Sequence, residues 1–541
     1  MLFNSPVYGV FLLVTYVAFW GLRRRSLLRP LFLMVASYVF YFVGTYDAAK
    51  EQEVPLGPLG WTLLCVAIIF VGSSLDFWIG RALGRTQNPA TRKALLLASI
   101  FYYLGVLSVF KYFNFAVDSV STVLAWAGVH IEPTHLRLVL PFGISFFTFE
   151  TMSYTIDVYR REIPPADRYL DYLLFVAFFP HLVAGPIVRP KSMLPQLAAE
   201  PVASDALKAE GLFLIATGLM KKIVIGDYLG LNLVNRVFDN PERYTSLEVL
   251  VAVYAYAIKI YADFSGYSDV AIGSAKLFGY ELPRNFDAPY TSADLQEFWR
   301  RWHISLSTWL RDYLYISLGG NRDSTWKTYR NLMLTMVLGG LWHGASWNFV
   351  IWGALHGGAL AVNRAWQRAR HAKRPLQPLG APARAIAAPS AADAKPNIPL
   401  DASREPAEAG SGGPGRVAGG TEVARAPALL TPGRVVAIVA TFHFVCFAWI
   451  FFRAPTFAHA TLMLERMGRG SFDAPNLTPR ILAILSLGLV THFIPRSWYE
   501  AIKGLFVRSP AVVQGVMLAA CAYLLHFASG AKAEPFIYGQ F

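Results

Sequence analysis

The sequence has few charged residues and almost no cysteine, and each shortage excludes a class of protein. Only 16% of the 541 residues are Asp, Glu, Lys or Arg, against about 25% in soluble globular domains. The three cysteines, Cys65, Cys446 and Cys521, lie in apolar runs and form no C-x-x-C pair. They predict neither a disulfide framework nor a zinc site, and we interpret them as small residues of a hydrophobic core.

Familiar catalytic motifs are also missing. The sequence contains no H-E-x-x-H, no G-x-S-x-G, no P-loop and no D-x-D. Soluble-type metallohydrolases, serine esterases and nucleotide hydrolases are therefore unsupported, and no metal site is predicted. The net charge of +14 comes from short basic runs between apolar stretches. That arrangement is typical of membrane orientation signals, so we expect no nucleic-acid partner.

Apolar residues dominate the sequence. They make up 55% of it, 14% of the residues are aromatic, and the mean hydropathy is +0.39. So much apolar surface is typical of a chain whose solvent is the lipid bilayer, and we predict an all-α polytopic membrane protein. Apolar stretches of about 18 residues or more predict about 11 to 13 membrane helices, some of them re-entrant. The candidate spans are 5–22, 27–44, 59–79, 94–110, 113–129, 138–156, 170–188, 209–226, 246–275, 329–362, 433–453, 478–495 and 511–529.

The charges of the first three loops predict the orientation. The first loop, 23–29, carries four arginines and no acidic residue, and the third, 81–93, is also purely basic. The second, around 47–53, is mostly acidic. Positive residues favour the cytoplasmic side, so we expect a multi-pass protein of the inner membrane with its N-terminus outside. The first span lacks the basic leading region of a cleavable signal, and we predict that it is retained.

A change of composition divides the chain. No Phe, Tyr or Trp occurs between Trp366 and Phe442, and Ala, Pro and Gly are frequent there. Such a segment cannot bury enough surface to order itself, so we predict a disordered, cytoplasmic linker over 367–431. Residues 1–366 then form a membrane core that contains the catalytic region, and 432–541 supply helices that complete the same domain.

The stretch from Glu297 to His356 contains the polar residues best suited to chemistry. His343 lies in an uncharged, apolar run, where an ionisable side chain is costly and usually functional. Neutral imidazole is a suitable general base, and Trp342, Trp347 and Asn348 supply N–H donors for an oxyanion. A core histidine bonded to a carbonyl group fits the same position, so the residues alone leave both interpretations open.

The remaining histidines of apolar runs have simpler explanations. His356 follows His343 by 13 residues. On one continuous helix that spacing amounts to about 220° and about 20 Å, which excludes a simple ligand pair. We interpret His356, His181 and His443 as structural.

Charged side chains in or near the apolar stretches also allow more than one role. Lys259 and Asp263 are four residues apart, and we predict that they neutralise each other on one helix face. Arg300, Arg301 and Arg311 suit either the phosphates of a cytoplasmic donor or the anchoring of lipid headgroups.

Several longer motifs indicate a family. They are Phe179-Pro-His-Leu-Val-Ala-Gly-Pro-Ile-Val-Arg189, Tyr261-Ala-Asp-Phe-Ser-Gly-Tyr-Ser-Asp269, Phe298-Trp-Arg-Arg-Trp-His-Ile-Ser-Leu-Ser-Thr-Trp-Leu-Arg-Asp312, Gly340-Leu-Trp-His-Gly-Ala-Ser-Trp347, Tyr154-Thr-Ile-Asp-Val-Tyr159, Trp449-Ile-Phe-Phe-Arg-Ala-Pro455 and Pro535-Phe-Ile-Tyr538. Through these segments the sequence resembles the membrane-bound O-acyltransferase (MBOAT) family, and within it the bacterial branch of alginate O-acetylases and D-alanyl-lipoteichoic-acid transfer proteins.

The resemblance implies a site and an architecture. The family has two signature polar positions some 30 to 40 residues apart, and His303 and His343, which are 40 apart, match them. It makes His343 the catalytic residue and His303 a tunnel-lining or orienting partner. It also implies helices ringed around a central acyl-transfer tunnel, which the donor enters from the cytoplasm and the acceptor from the other side.

The function expected from the resemblance is O-acetylation of an exported, alginate-like polysaccharide. Acetyl-CoA is the expected donor, no cofactor is bound permanently, and a periplasmic acetyltransferase receives the acetyl group. The alternatives within the family are D-alanyl transfer and acetylation of peptidoglycan or cellulose. A polysaccharide or lipid transporter is the alternative from another class, although the repeated halves typical of transporters are absent from the sequence.

Overall fold

The chain folds into a bundle of helices. The computed structural model describes residues 3–136, 138–141, 143–183, 185–322, 324–372 and 431–528. It is 78% helical, and the described residues contain no β-strand. The prediction of an all-α polytopic membrane protein is confirmed.

The described residues form 21 α-helices. In chain order they are α1 (Pro6–Gly21), α2 (Leu28–Lys50), α3 (Gly57–Arg85), α4 (Pro89–Leu107), α5 (Phe113–Trp126), α6 (Ile144–Arg160), α7 (Tyr169–Ala177), α8 (Phe179–Leu182), α9 (Pro190–Ala198), α10 (Asp205–Met220), α11 (Asn235–Asp239), α12 (Ser246–Leu277), α13 (Leu295–Arg301), α14 (Ile304–Trp309), α15 (Thr325–His343), α16 (Trp347–Ala372), α17 (Pro432–Arg453), α18 (Phe457–Gly468), α19 (Pro479–Phe493), α20 (Arg496–Arg508) and α21 (Ala511–Ala528). The π-helical segments are Ser108–Tyr112, Lys221–Asp227, Gly230–Val234 and Leu310–Tyr315, and the 3₁₀ turns are Pro241–Arg243 and Pro289–Thr291.

Several helices begin at the same local signal, a capping side chain followed by proline. The side chains of Ser5, Asn88, Thr431 and Thr478 each accept a hydrogen bond from a backbone N–H of the first turn. The next residue is proline in all four cases, and its missing N–H is not needed at that position. The starts of α1, α4, α17 and α19 therefore follow from local sequence.

The number of helices able to cross a membrane alone is lower than the predicted 11 to 13. Five of the described helical segments are long and apolar enough, and α19 with α20, bent by 93° at their junction, would make a sixth. The long helix α12 is not among them, and it carries Lys259 and Asp263 buried inside the bundle.

Two predicted spans, 94–110 and 113–129, are one helix in the structure. Residues Pro89–Trp126 are continuous over 38 residues. The π-helical segment Ser108–Tyr112 joins α4 to α5 without a loop. Lys111 lies in that segment, where the sequence analysis had placed a boundary between spans.

The packing of α10 against α12 depends on small residues. A Cβ atom on Gly218 would lie 2.6 Å from the carbonyl oxygen of Gly266, and one on Gly273 would lie 2.5 Å from that of Gly211. Close backbone approach through glycine is a common way of joining helices in membranes, where the hydrophobic effect does not drive helix association. This contact places the long helix α12 in the middle of the bundle.

The predicted span 329–362 is instead a hairpin of two helices. Helix α15 ends at His343, and α16 begins at Trp347. The two helices pack through Gly340 and Gly353, where a Cβ atom would collide with the backbone carbonyls of Phe349 and Met336 respectively. The continuous helix assumed for His343 and His356 was therefore wrong, and His343 lies at the turn of the hairpin.

The bundle has two distinct ends. We call one end the basic face. There, residues next to the loops that follow α1 and α3 contact the ends of other helices. Trp20 Nε1 donates to the carbonyl of Leu277 at 3.1 Å, and an Arg92 guanidinium nitrogen donates to that of Tyr159 at 2.7 Å. Helix α12 runs from Leu277 back to Ser246 over 32 residues, or about 48 Å. Ser246 marks what we call the opposite face.

The two helices that flank the predicted linker both meet the start of α13. Asn363 of α16 donates to Asp294 Oδ1 at 3.3 Å, and Arg434 of α17 pairs with Glu297 at 3.2 Å. Residues 367–372 of the predicted linker belong to α16. The disorder predicted for residues 373–430 concerns a segment outside the described residues.

Candidate active site

His343 lies in an enclosure of aromatic rings at the tip of the α15–α16 hairpin. Only 3% of its surface is exposed. Its ring centroid is 4.9 Å from Trp342, 5.2 Å from Trp352 on α16 and 5.1 Å from Phe452 on α17. Three helices thus supply the walls around this imidazole, and they leave it in an environment from which bulk water is excluded.

The end of α15 is capped by side chains of a distant helix. Lys111 Nζ donates to the carbonyl oxygens of Trp342 at 2.7 Å and His343 at 3.0 Å, and the Tyr112 hydroxyl donates to that of Leu341 at 3.0 Å. The last carbonyls of a helix have no partner within the helix and carry partial negative charge, so a lysine is well matched to them. The position of His343 is thereby fixed from outside its own hairpin.

His303 is fully buried and is held by Asn285. It precedes α14 with a φ of 42°, a left-handed conformation that is unusual for a residue with a side chain. Its Nδ1 lies 3.2 Å from Asn285 Oδ1, which also accepts hydrogen bonds from the backbone N–H and the hydroxyl of Ser305. Since Oδ1 is an acceptor, Nδ1 carries the hydrogen, and this tautomer places the ring's lone pair on Nε2.

Trp342 joins the two histidines. Its ring centroid is 6.3 Å from His303 and 4.9 Å from His343. On its other side it stacks on Phe149 at 5.2 Å, and Phe149 stacks on Trp309 at 3.9 Å. The predicted pair therefore shares one aromatic cluster, although 40 residues separate the two histidines in sequence.

The other two predicted oxyanion donors are placed differently. The Asn348 side chain is buried and donates through Nδ2 to the carbonyl of Ala454 at 2.8 Å. Trp347 is 59% exposed, and its ring packs against Phe115 at 5.5 Å. Of the three predicted donors, only Trp342 contacts the ring of His343.

The three predicted arginines do not form one cluster. Arg300 is exposed, and Arg301 pairs with Glu297 at 2.9 Å on the same helix. Arg311 pairs with Asp312 at 2.7 Å. Arg311 instead belongs to a separate group near the basic face, in which other arginines surround the neighbouring Tyr313.

We call that group the arginine cluster, and define it as Arg160, Arg189 and Arg311 around Asp312 and Tyr313. Arg189 pairs with Asp312 at 3.3 Å and lies 4.4 Å above the Tyr313 ring, over which Arg160 also lies at 5.4 Å. Tyr313 packs on Trp309 at 5.1 Å, which connects the cluster to the stacked rings that lead to Trp342.

The histidines interpreted as structural have diverse surroundings. His443 is bonded through both ring nitrogens, to the Val439 carbonyl at 2.8 Å and the Tyr254 hydroxyl at 2.9 Å. His181 pairs with Glu150 at 3.1 Å, and both are buried. His356 packs on the far side of Trp352, 4.8 Å from its ring. His343 and His356 therefore contact the same tryptophan, because the helix reverses between them.

The predicted pair of Lys259 and Asp263 is part of a larger buried network. The Lys259–Asp263 distance is 3.7 Å, but Lys222 lies closer, 2.6 Å from Asp263 and 2.5 Å from Asp227. Lys222 and Asp227 lie in the π-helical segment Lys221–Asp227. A fixed register between that segment and α12 follows from these pairs.

Sequence reasoning missed Lys111, Asn285 and Phe452. Of these three, only Lys111 could have been identified from the sequence, because a lysine within an apolar stretch usually has a functional or structural role. Tertiary packing determines which residues contact Asn285 and Phe452, and a single sequence does not show that packing.

Comparison with known proteins identifies the family. Residues 89–381, more than half of the chain and including His303 and His343, match the membrane-bound O-acyltransferase family. A probable alginate O-acetylase of Pseudomonas aeruginosa is 43% identical over 374 residues, which are 68% of this chain and 66% of that protein. The chain thus aligns with just under two thirds of that relative.

Two further relatives are named for other activities. A peptidoglycan O-acetyltransferase of Helicobacter pylori is 34% identical over 399 residues, or 68% of this chain and 71% of that protein. A teichoic acid D-alanyltransferase of Streptococcus thermophilus is 29% identical over 306 residues, or 51% and 73%. The resemblance inferred from the motifs is confirmed at the level of the family. The chain belongs to the membrane-bound O-acyltransferase family.

Proposed function

We propose that this protein is an O-acetyltransferase that takes an acetyl group from acetyl-CoA in the cytoplasm and passes it across the inner membrane to an exported, alginate-like polysaccharide. A periplasmic acetyltransferase acts as the relay. The observation that carries the proposal is the enclosure of His343 by Trp342, Trp352 and Phe452, with His303 across Trp342. The higher identity to the alginate O-acetylases than to the D-alanyltransferases favours acetyl as the group transferred.

In the proposed mechanism His343 is the general base. Its imidazole accepts the proton of the acceptor hydroxyl as the oxygen attacks the thioester carbonyl. The tetrahedral intermediate collapses, the C–S bond breaks, and the imidazolium returns the proton to the leaving thiolate. His303, in the tautomer that Asn285 selects, presents the Nε2 lone pair and can orient the acceptor hydroxyl, whereas the single N–H of Trp342 is donated to the Ser145 carbonyl at 3.4 Å. An acetyl group carried briefly on His343 fits the same geometry.

The basic face is the proposed entrance for the donor. The arginine cluster offers guanidinium groups for the phosphates of acetyl-CoA, and the ring contacts from Tyr313 through Trp309 and Phe149 lead towards Trp342. The arginine-rich first loop lies at the same end, which by the positive-inside rule is cytoplasmic. This orientation places the N-terminus outside.

The test is an acetyl-transfer assay with purified, detergent-solubilised protein and acetyl-labelled CoA. His343→Ala should lower turnover about 10²- to 10⁴-fold, because it removes the general base. His303→Ala should lower it less if the residue orients, and His356→Ala should mainly reduce stability. His443→Ala is the matched control and should retain activity. His443 is exposed, and its ring nitrogens bond to Val439 and Tyr254, which lie outside the aromatic cluster around Trp342.

Each contrary result has a defined meaning. An active His343→Ala enzyme would end the catalytic assignment. Equal losses in His343→Ala and His356→Ala that follow protein amount would indicate two core histidines. Turnover of a D-alanyl carrier protein in place of acetyl-CoA would select that branch of the family, and transport of polysaccharide without any donor consumption would select a transporter.

A further inference from the structure

The opposite face holds a cavity of about 610 Å³ that the proposed transfer chemistry does not use. Two separate parts of the chain form it, the residues before α12 and the residues that begin α19. Its polar and aromatic lining includes Tyr228, Asn232, Arg236, Tyr244, Asn476 and Arg480. Cavities of about 300 to 1,000 Å³ are typical of sites for small ligands, whereas protein partners usually meet on flatter and larger surfaces.

The charge of this cavity is positive. Arg236 and Arg480 line it, and no acidic side chain does. Of the acidic residues nearby, Asp239 pairs with Arg453 at 3.4 Å, and Glu248 accepts hydrogen bonds from the backbone of Thr245 and Asn476. Glu242 and Asp473 are exposed and do not line the cavity. Arg480 has no ion pair within the described ranges of the chain. Arg236, whose Nε donates to the Leu231 carbonyl at 3.1 Å, and Arg480 therefore offer guanidinium N–H groups to an anion.

The lining matches the chemistry of an acidic sugar. A guanidinium group binds a carboxylate through two parallel hydrogen bonds. The side-chain amides of Asn232 and Asn476 both donate and accept, as sugar hydroxyls require. Tyr228 and Tyr244 present an apolar ring with a polar tip, a combination suited to the faces and edges of a pyranose.

Side-chain contacts at the end of α17 connect the cavity to the candidate active site. Phe452 packs against His343 at 5.1 Å, and the next residue, Arg453, lies 3.3 Å from Asn235 and 3.4 Å from Asp239. Those two residues flank Arg236 on α11. A chain bound in the cavity is thus held beside the end of the hairpin that carries His343, on the side away from the basic face.

We propose that this cavity binds a segment of a uronate-containing polysaccharide and holds the acceptor polymer at the membrane. The proposal rests on the proposed function, because it takes the acceptor polymer proposed there as the ligand of this cavity. It adds a direct contact between this chain and the polymer, besides the relay by a periplasmic enzyme. Anionic lipid headgroups share the same charge and are separated from the polymer by the experiment.

The experiment measures binding of an unacetylated oligouronate to the purified full chain in neutral detergent by isothermal titration calorimetry, without acetyl donor. Arg236→Gln and Arg480→Gln should each weaken binding about tenfold, as expected for the loss of a charge-assisted hydrogen bond. Arg243→Gln is the matched control, because Arg243 is exposed on the same face but does not line the cavity. A neutral oligosaccharide of equal length should bind much more weakly.

Contrary results are equally clear. Unchanged affinity in Arg236→Gln and Arg480→Gln, or equal affinity for the neutral oligosaccharide, would overturn the site. Arginine-dependent binding of vesicles that contain phosphatidylglycerol, with no binding of the oligouronate, would assign the cavity to lipid and overturn the proposal too. His343→Ala should bind the oligouronate normally, so a failure of the transferase proposal remains distinguishable from a failure of this one.

Discussion

Lys111 holds the residue that we assign as the general base: its ammonium group donates to the main-chain carbonyl of His343 at 3.0 Å. The same nitrogen binds the Trp342 carbonyl at 2.7 Å. Lys111→Met should leave these carbonyls without a donor and let the end of α15 shift. A displacement of about 1 Å can cost about 10²-fold in rate, so we expect turnover to fall about 10- to 100-fold.

The neighbouring Tyr112 provides the comparison. Tyr112→Phe removes only the hydrogen bond to Leu341, one residue further from the imidazole, and should lower turnover less. Both variants are assayed for acetyl transfer per amount of folded protein. If Lys111→Met retained full turnover, or if Tyr112→Phe were the more damaging change, the cap would not position His343.

The glycine contact in the α15–α16 hairpin gives a prediction about stability. A Cβ atom on Gly340 would collide with the Phe349 backbone, so Gly340→Ala should destabilise the protein by about 1–3 kcal/mol, as overpacking usually does. Gly339→Ala is the control, since its Cβ atom would meet only the end of the Leu310 side chain, at 3.1 Å. Thermal unfolding in detergent should show a clear difference, and equal melting temperatures would contradict the packing.

The buried network around Lys222 should be sensitive to the loss of one partner. Lys222→Met leaves Asp263 and Asp227 without their closest cation, and a broken buried pair costs about 3–5 kcal/mol. Arg469→Met removes an exposed pair with Glu465, which solvent screens, so it should change stability little. Yield and melting temperature measure both. A tolerated Lys222→Met would show that Lys259 replaces it.

Deletion of Ala381 to Ala424 should leave transfer mostly intact. The composition of that segment offers little to pack, and the helices on either side both meet the start of α13, through Asn363 and Arg434. Activity and protein amount are measured together. Complete loss of activity at normal protein amount would show that the segment binds something that the enzyme needs.

Reporter fusions test the orientation. Fusions within 81–93 and near Gly412 should both report a cytoplasmic location, because the basic loops predict that side. A fusion in the loop after Trp126 should report the outside, since Pro89–Trp126 is one continuous helix. A cytoplasmic signal there would reverse the proposed side of the cavity as well.

The sequence predicted the helices that depend on local signals. Long apolar runs located α2, α3, α17 and α21 closely, because lipid imposes both their length and their composition. The break after His343 was missed because Gly344, Ala345 and Ser346 are as compatible with a membrane helix as with a turn. The opposite error was made at Lys111, which lies between the predicted spans 94–110 and 113–129 although the helix continues through it.

The candidate site was predictable only in part. His343 and His303 were found because an ionisable group in an apolar stretch is costly and because their motifs resemble a family. Asn348 was expected to point at the reaction, but its amide donates to Ala454. This contact requires α16 and α17 to pack together. Because a long segment separates the two helices in the sequence, the sequence alone does not predict that packing.

The ring of Phe452 in the wall around His343 has a consequence for the order of assembly during synthesis. Phe452 emerges from the ribosome about a hundred residues after His343, which at about 5–20 residues per second is a delay of roughly 5 to 20 seconds. During that interval the imidazole already has its neighbours from α15 and α16 but is open on the side that α17 will cover. The site around His343 is therefore incomplete until α17 packs against α15 and α16, and we expect no transfer activity before that step.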